Sequence, residues 1–234
     1  MRNSITIFVF VFLALVVVPG DRQQARAQAG AYPAMAPLAE YLMSKDAEIA
    51  LARSAAPASV ANDATVMVLE PQGYTTAVQG KNGFLCYVER SWAKVTDAPD
   101  FWNPKTRAPN CFNAAAAASV APIYLMKTRL VLAGKSKAEI AQAIAAAFDS
   151  GGLPALAPGS MCYMMSKQQY LNDGAHNWHP HVMFYAPGDV ARSWGANLPG
   201  SPMIAATDPQ ARVTTFMLVV QDWSDGTPGP PMEH

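Results

Sequence analysis

Residues 64–89 read ATVMVLEPQGYTTAVQGKNGFLCYVE, three short β-prone runs separated by turn residues. Ala64 to Leu69 is apolar and β-branched, and Pro71-Gln72-Gly73 ends it with a turn signal. Tyr74 to Gln79 makes a second run. Lys81-Asn82-Gly83 holds Asn-Gly, the strongest short hairpin dipeptide, so Phe84 to Glu89 is expected to pair back as a third strand. Hairpin-linked strands of this kind belong to a sheet built mainly by antiparallel neighbours.

The helical signals stand apart from these strands. In the Ala-rich segment 30–63, Leu38, Leu42, Ile49 and Ala52 fall near helical spacing, which predicts one helix over about 37–54. Residues 123–133 can form another, with Ile123, Met126 and Leu130. Ser136-Lys137-Ala138-Glu139 is a capping box opening a helix that carries Ile140, Ile144, Ala147 and Phe148 on one face and stops at Gly151-Gly152. Ser160–Met165, His181–Ala186 and Val213–Val220 read as later strands. Residues 91–113, with Pro99, Pro104 and Pro109, read as a long loop, and 187–210 as a Pro/Gly-rich excursion. Because helices and strands are segregated rather than alternating, the expectation is an α+β fold in a single domain: a mostly antiparallel sheet of five to six strands with two to three helices, over 64–223.

The ends carry different information. Arg2, the apolar run Ile5 to Val18, Pro19-Gly20 and the small-residue sites Ala25-Arg26-Ala27 and Ala27-Gln28-Ala29 read as a secretory signal over 1–29. The run is shorter than the ~20 residues that span a bilayer, and no second stretch could do so; no stable membrane span is expected after cleavage, and the location is periplasmic or secreted. Removing 1–29 leaves 14 basic and 16 acidic residues, near −2. That charge, with no basic stripe, gives no footing for nucleic acid. The tail 224–234 is Gly/Pro-rich and reads as disordered.

Three of the four histidines, His176, His179 and His181, lie within six residues. On a strand, positions two apart share a face, so His179 and His181 could meet one metal ion, with His176 and Asp173 from the preceding loop. Three nitrogens and a carboxylate suit tetrahedral zinc, and an open position would make a metal-assisted hydrolase. The common metalloenzyme templates are incomplete: His-Glu-x-x-His is absent, and no upstream histidine is available. Cys162 precedes the histidines in the order of a nucleophile and its base, but Met161, Tyr163 and Met164 surround it with apolar bulk, which favours a buried thiol. Ser91-Trp92-Ala93-Lys94 lacks the companions of a penicillin-binding site. Gly134-Lys135-Ser136 has Arg129 where a phosphate loop needs glycine, and Ser136 is better used as a helix cap. The five tryptophans could line a groove or plug the core. Asp222 and Asp225 flank a turn.

Export makes a disulfide permissible. A Cys86–Cys111 pair would close a loop of ordinary length and leave Cys162 over.

The segments Asn82-Gly83-Phe84-Leu85-Cys86, Ala108-Pro109-Asn110-Cys111, Trp178-His179-Pro180-His181-Val182-Met183-Phe184-Tyr185 and Trp194-Gly195-Ala196-Asn197 resemble a family of uncharacterised exported bacterial proteins, over roughly residues 65–226. The resemblance carries no activity. It implies that Cys86 and Cys111 belong together. It also implies that His181, more than His179, is an individually placed residue, a general base or a hydrogen-bond anchor. Two functions follow as expectations: a non-catalytic domain binding a small molecule or envelope ligand beside His181, or the zinc-assisted hydrolase. In either, the start of the 181–186 strand is the site and the 187–210 excursion would lie over it as a lid.

Overall fold

A computed structural model describes residues 31–231. Residues 1–29, read as a secretory signal, and the terminal His234 lie outside the described residues. The chain is α+β, with five helices and one eight-stranded sheet among the described residues. The helices are α1 (Lys45–Arg53), α2 (Ala58–Ala61), α3 (Ala114–Ser119), α4 (Ala121–Leu132) and α5 (Lys137–Asp149). The strands are β1 (Thr65–Glu70), β2 (Gly73–Val78), β3 (Leu85–Glu89), β4 (Ala108–Phe112), β5 (Met161–Met164), β6 (His181–Pro187), β7 (Ile204–Asp208) and β8 (Val213–Val219), in the order β2-β1-β3-β4-β5-β6-β8-β7.

The sheet is larger than expected, and it is mixed. β1 and β2 form the anticipated hairpin around Pro71-Gln72. The Asn82-Gly83 hairpin does not form: β3 lies on the other side of β1, parallel to it, and pairs antiparallel with β4. The connection crosses the start of β1 at Gly80, where a Cβ would come within 2.1 Å of the Thr65 amide nitrogen, so only glycine lets the two backbones touch. Lys81 and Asn82 donate backbone N–H groups to the Asp63 carbonyl, and the Asn82 side chain bonds Phe84 N and Val60 O. The turn dipeptide thus anchors a crossing instead of closing a hairpin.

Two further strands were hidden. Ala108–Phe112, read as loop, is a fully buried strand between β3 and β5. Arg107 N–H and C=O bond Tyr170 on the β5 side, so by the two-residue alternation Pro109 also turns its nitrogen that way. The ladder to β5 reaches only Cys111 and Phe112 there, and the missing N–H costs no ladder bond. β7 lies inside the Pro/Gly-rich excursion and pairs with β8 as a short edge strand.

The helix expected over 37–54 is divided. Leu38–Glu40 is a single 3₁₀ turn and α1 begins only after Ser44. Between them Tyr41 is fully buried, its ring 4.8 Å from that of Trp92 and its hydroxyl donating to Trp102 O at 2.7 Å. The chain bends to seat that ring. Conversely, the capping box at Ser136 and Glu139 forms as read, with both reciprocal bonds.

Two apolar layers sandwich one half of the sheet. Leu51, Ala52, Ala55 and Ala56 pack on Val66, Val88, Cys86 and Cys111 on one face. Cys86 and Cys111 stand directly opposite each other, Cα atoms 4.0 Å apart, and form the disulfide. Tyr87, Phe112 and Cys162 meet Val120, between α3 and α4, and Ile123, Val131, Ile140 and Ile144 of α4 and α5 on the other face. Residues 224–231, read as a disordered tail, are tied down: Ser224 N bonds Met165 O, Gly229 N bonds Gln221 O, and Gly229 packs on Pro180. No helix among the described residues is long and apolar enough to cross a membrane.

Candidate functional site

β6 alternates. His181, Met183 and Tyr185 point to the face that α4 covers, and Val182, Phe184 and Ala186 to the opposite face. The 187–210 excursion packs Val190, Ala191 and Ala196 on that opposite face, and Trp194 stacks on Phe216 with centroids 4.6 Å apart. It is therefore not a lid over His181.

The loop before β6 is wound tightly. Asn172 Oδ1 accepts from the backbone N–H groups of Gly174 and Ala175, Leu171 N bonds His176 O, and His176 N bonds Asn172 O. His176 and Trp178 are forced to positive φ, 45° and 32°. For side chains with a Cβ this is strained backbone, held by the surrounding bonds. The Trp178 ring is half-buried. His181 and His179 both lie edge-on to it, at 4.9 and 5.5 Å.

The four residues expected to share a metal ion are distributed by this winding. Asp173 accepts from Tyr32 Oη at 2.6 Å and Tyr170 Oη at 2.5 Å, with Lys105 Nζ at 3.4 Å. The Tyr170 and Tyr32 hydroxyls hold its carboxyl down to about 2. His176 is exposed and edge-on to Tyr170. His179 precedes the strand rather than lying in it, so the shared-face spacing does not apply to it. Among the described residues no three His, Cys, Asp or Glu side chains are grouped so as to hold a metal ion.

His181 is different. It is buried, and its Nδ1 lies 2.7 Å from the His179 carbonyl oxygen. A carbonyl only accepts, so Nδ1 carries the proton and Nε2 presents a lone pair. Burial pulls the imidazole down to about 4, outweighing the backbone bond. Near neutral pH this ring is an uncharged acceptor.

His181 forms part of the wall of a cavity of 320 Å³ on the α4 face of the sheet. Ala108, Asn110 and Thr215 supply a low floor. Met164, Met183 and Met217 supply a soft apolar flank, and Tyr124, Trp178 and Tyr185 stand around it. At the end away from His181 is Glu89, the last residue of β3. Burial raises its carboxyl to about 8, against the pull of Lys127 and the Tyr87 hydroxyl at 3.4 Å. A carboxylic acid and a neutral imidazole thus line one cavity, with their affinities for protons displaced in opposite directions. Cys162 lies beneath. It is free and buried, its sulfur 3.1 Å from Tyr185 Oη, and burial pushes the thiol well up. It is no nucleophile near neutral pH.

Cations approach the cavity but are already paired. Arg90 gives NH2 to both Glu48 carboxylate oxygens at 2.9 Å, Nε to Tyr41 O and NH1 to Val88 O. Lys94 is paired with Asp100, and Lys127 lies 3.3 Å from Asp208. A larger groove of 560 Å³ runs beside the C-terminal segment, lined by Leu218, Gln221, Pro202, Pro228 and Pro230.

Of this site, sequence reading found His181 and treated the tryptophans as groove candidates. It missed Glu89, Asn110, Tyr124 and the methionines. One signal was available: in Leu85-Cys86-Tyr87-Val88-Glu89, strand alternation puts Glu89 on the same face as Tyr87. No protein-family model matches the chain, and no curated protein and no solved structure is detectably similar to it.

Proposed function

We propose that this is an exported, non-catalytic binding protein that holds a small molecule in the sheet-face cavity beside His181. The observation that carries the reading is the cavity itself: a 320 Å³ recess whose exposed lining is mostly apolar, with aromatic and thioether walls and with Glu89 and His181 among its polar groups. Ligand sites are typically concave and mostly apolar, with a small number of placed polar groups that fix orientation. The signal-like segment 1–29 and the Cys86–Cys111 bridge support a periplasmic or secreted location.

The test is a thermal-shift screen of a small-molecule library against the mature protein, run in parallel on Met183→Trp. Met183 points into the cavity from the middle of β6, so an indole there fills the space. Compounds should stabilise the wild type saturably and lose that effect in Met183→Trp. Equal stabilisation of both proteins would place the ligand elsewhere and defeat the reading. N-terminal sequencing of protein recovered from periplasm should begin near Gln28 or Gly30; retention of Met1 would refute export by cleavage.

A further inference from the structure

We propose that the ligand of this cavity is an uncharged molecule with a flat apolar body, carrying a carbonyl-type acceptor that meets Glu89 and an N–H or O–H donor that meets His181. The inference rests on the cavity being a binding site, and adds the ligand's chemistry.

Charge comes first. An anion entering here finds no free cation, because Arg90, Lys94 and Lys127 are each engaged by Glu48, Asp100 and Asp208. A cation would have to seat its charge at the Glu89 end, beside those three basic side chains. The groups that face Glu89 are Tyr87 and Arg90 from β3 and its end, Lys94 from the following turn, Tyr124 and Lys127 from α4, and Tyr185 and Cys162 from β6 and β5. Lys127 is the one that pulls Glu89 toward ionisation, and burial outweighs it. Glu89 is therefore a hydrogen-bond donor near neutral pH. Its Oε1 meets only the long Tyr87 contact, and its Oε2 makes no hydrogen bond among the described residues. Thr106 on the same wall has a buried Oγ1 with no partner, a second polar group awaiting an acceptor or donor.

Geometry supplies the length. Glu89 and His181 are three strand spacings apart, β3 to β6, and two residues apart in register, since His181 stands level with Tyr87, which puts their backbones roughly 16 Å from each other at ~4.8 Å per strand and ~3.4 Å per residue. Both side chains reach into the cavity. The gap between them suits a ring with a short polar arm, its donor to Nε2 and its carbonyl to the Glu89 carboxyl. Met164, Met183 and Met217 offer thioethers to an aromatic face, a favourable contact that tolerates several ring shapes.

The test uses matched probes that differ only in the arm: indole-3-acetamide, indole-3-acetate and tryptamine, each titrated calorimetrically at pH 6.5 and pH 9. 1-Naphthylacetamide serves as a body without the ring N–H. The amide should bind about tenfold or more tightly than the carboxylate or the amine, since an uncompensated charge or a lost buried hydrogen bond costs that much. Its affinity should fall as pH rises through about 8 in the wild type. Glu89→Gln keeps a donor and cannot ionise, so it should bind the amide at both pH values, whereas Glu89→Leu should lose about tenfold. Naphthylacetamide should be weaker than the indole. Tighter binding of the acetate or of tryptamine, abolished in Met183→Trp, would overturn the uncharged-ligand inference and leave the cavity a binding site. Binding of none of the probes would overturn both, and circular dichroism of each variant checks its fold.

Discussion

Glu48 and Arg90 form an ion pair with both side chains withdrawn from water, and Glu48→Gln is the change that tests how the fold depends on it. One carboxylate ties three elements. It sits on α1, accepts both NH2 bonds of the guanidinium that follows β3, and accepts Leu69 N–H of β1 at 3.0 Å. Glutamine preserves the shape and, through Oε1, the acceptor for Leu69; it removes the charge and turns the other carboxylate oxygen into an N–H donor facing the guanidinium. It leaves a guanidinium buried with no counter-ion, a situation that costs about 3–5 kcal/mol. For a chain of this size that is roughly a 6–20 °C fall in melting temperature. The assay is urea unfolding followed by circular dichroism at pH 7. Glu48→Gln/Arg90→Met removes both charges and should recover part of the loss, giving a favourable coupling between the two sites. The same single variant frees Arg90 on the cavity wall, so indole-3-acetate should gain affinity in Glu48→Gln. A single-variant loss under ~1 kcal/mol, or a double variant worse than the sum of the singles, would refute the account of this pair as a desolvated clamp.

The disulfide spans a separation of 25 residues, for which loop-closure entropy predicts a loss of about 3.5 kcal/mol on Cys86→Ala/Cys111→Ala; unfolding with and without reductant should show the same difference in the wild type and none in the variant. Stability should depend on pH through two groups with opposite signs. His181, lowered to about 4, contributes stability that is lost as pH falls below about 6.5, the ordinary imidazole value; Glu89, raised to about 8, makes stability fall as pH rises from the ordinary carboxyl range near 4.5 through 8. The two oppose each other between pH 4.5 and 6.5, so melting temperature should decline most clearly from 6.5 to 8. Glu89→Gln should flatten that decline; an unchanged slope would show that Glu89 is ionised in the folded protein. Because Asp173 is held by two tyrosines and His176 stands apart at the surface, mature untagged protein equilibrated with zinc and gel-filtered should retain well under one equivalent. Stoichiometric zinc lost in His179→Ala/His181→Ala would refute this.

The parts legible in the sequence are those decided locally. Ser136 and Glu139 bond each other's backbone within one turn, so four residues suffice to place α5. Strands β1, β5, β6 and β8 were legible because their apolar runs are continuous. The illegible parts depend on distant partners. Pro109 argues against a central strand unless one knows that the β5 ladder stops at Cys111. Asn82-Gly83 signals a hairpin unless one knows that Gly80 must pass within touching distance of Thr65. The histidine cluster misled for a related reason. Spacing of two means a shared face only inside a strand, and the strand starts at His181, one residue after Pro180.

The crossing at Gly80 also accounts for where the site lies. It sets the start of β3 beside β1, at Leu85 and Cys86, and leaves the far end of β3 paired with β4. That far end carries Glu89, which shares the cavity wall with Tyr124 of α4 and with Trp178 of the strained loop. Ala108, Asn110 and Thr215 are too small to fill the space that Tyr124, Trp178 and Tyr185 surround, and a recess remains. The desolvation that raises Glu89 and lowers His181 is a consequence of that enclosure, so the two groups should respond together. A substitution that opens the wall, such as Trp178→Ala, should bring the Glu89 carboxyl down and the His181 imidazole up, each toward its ordinary value. Both shifts can be read by NMR titration of the side chains. Movement of one without the other would show that a specific charge contact, rather than shared burial, sets its proton affinity.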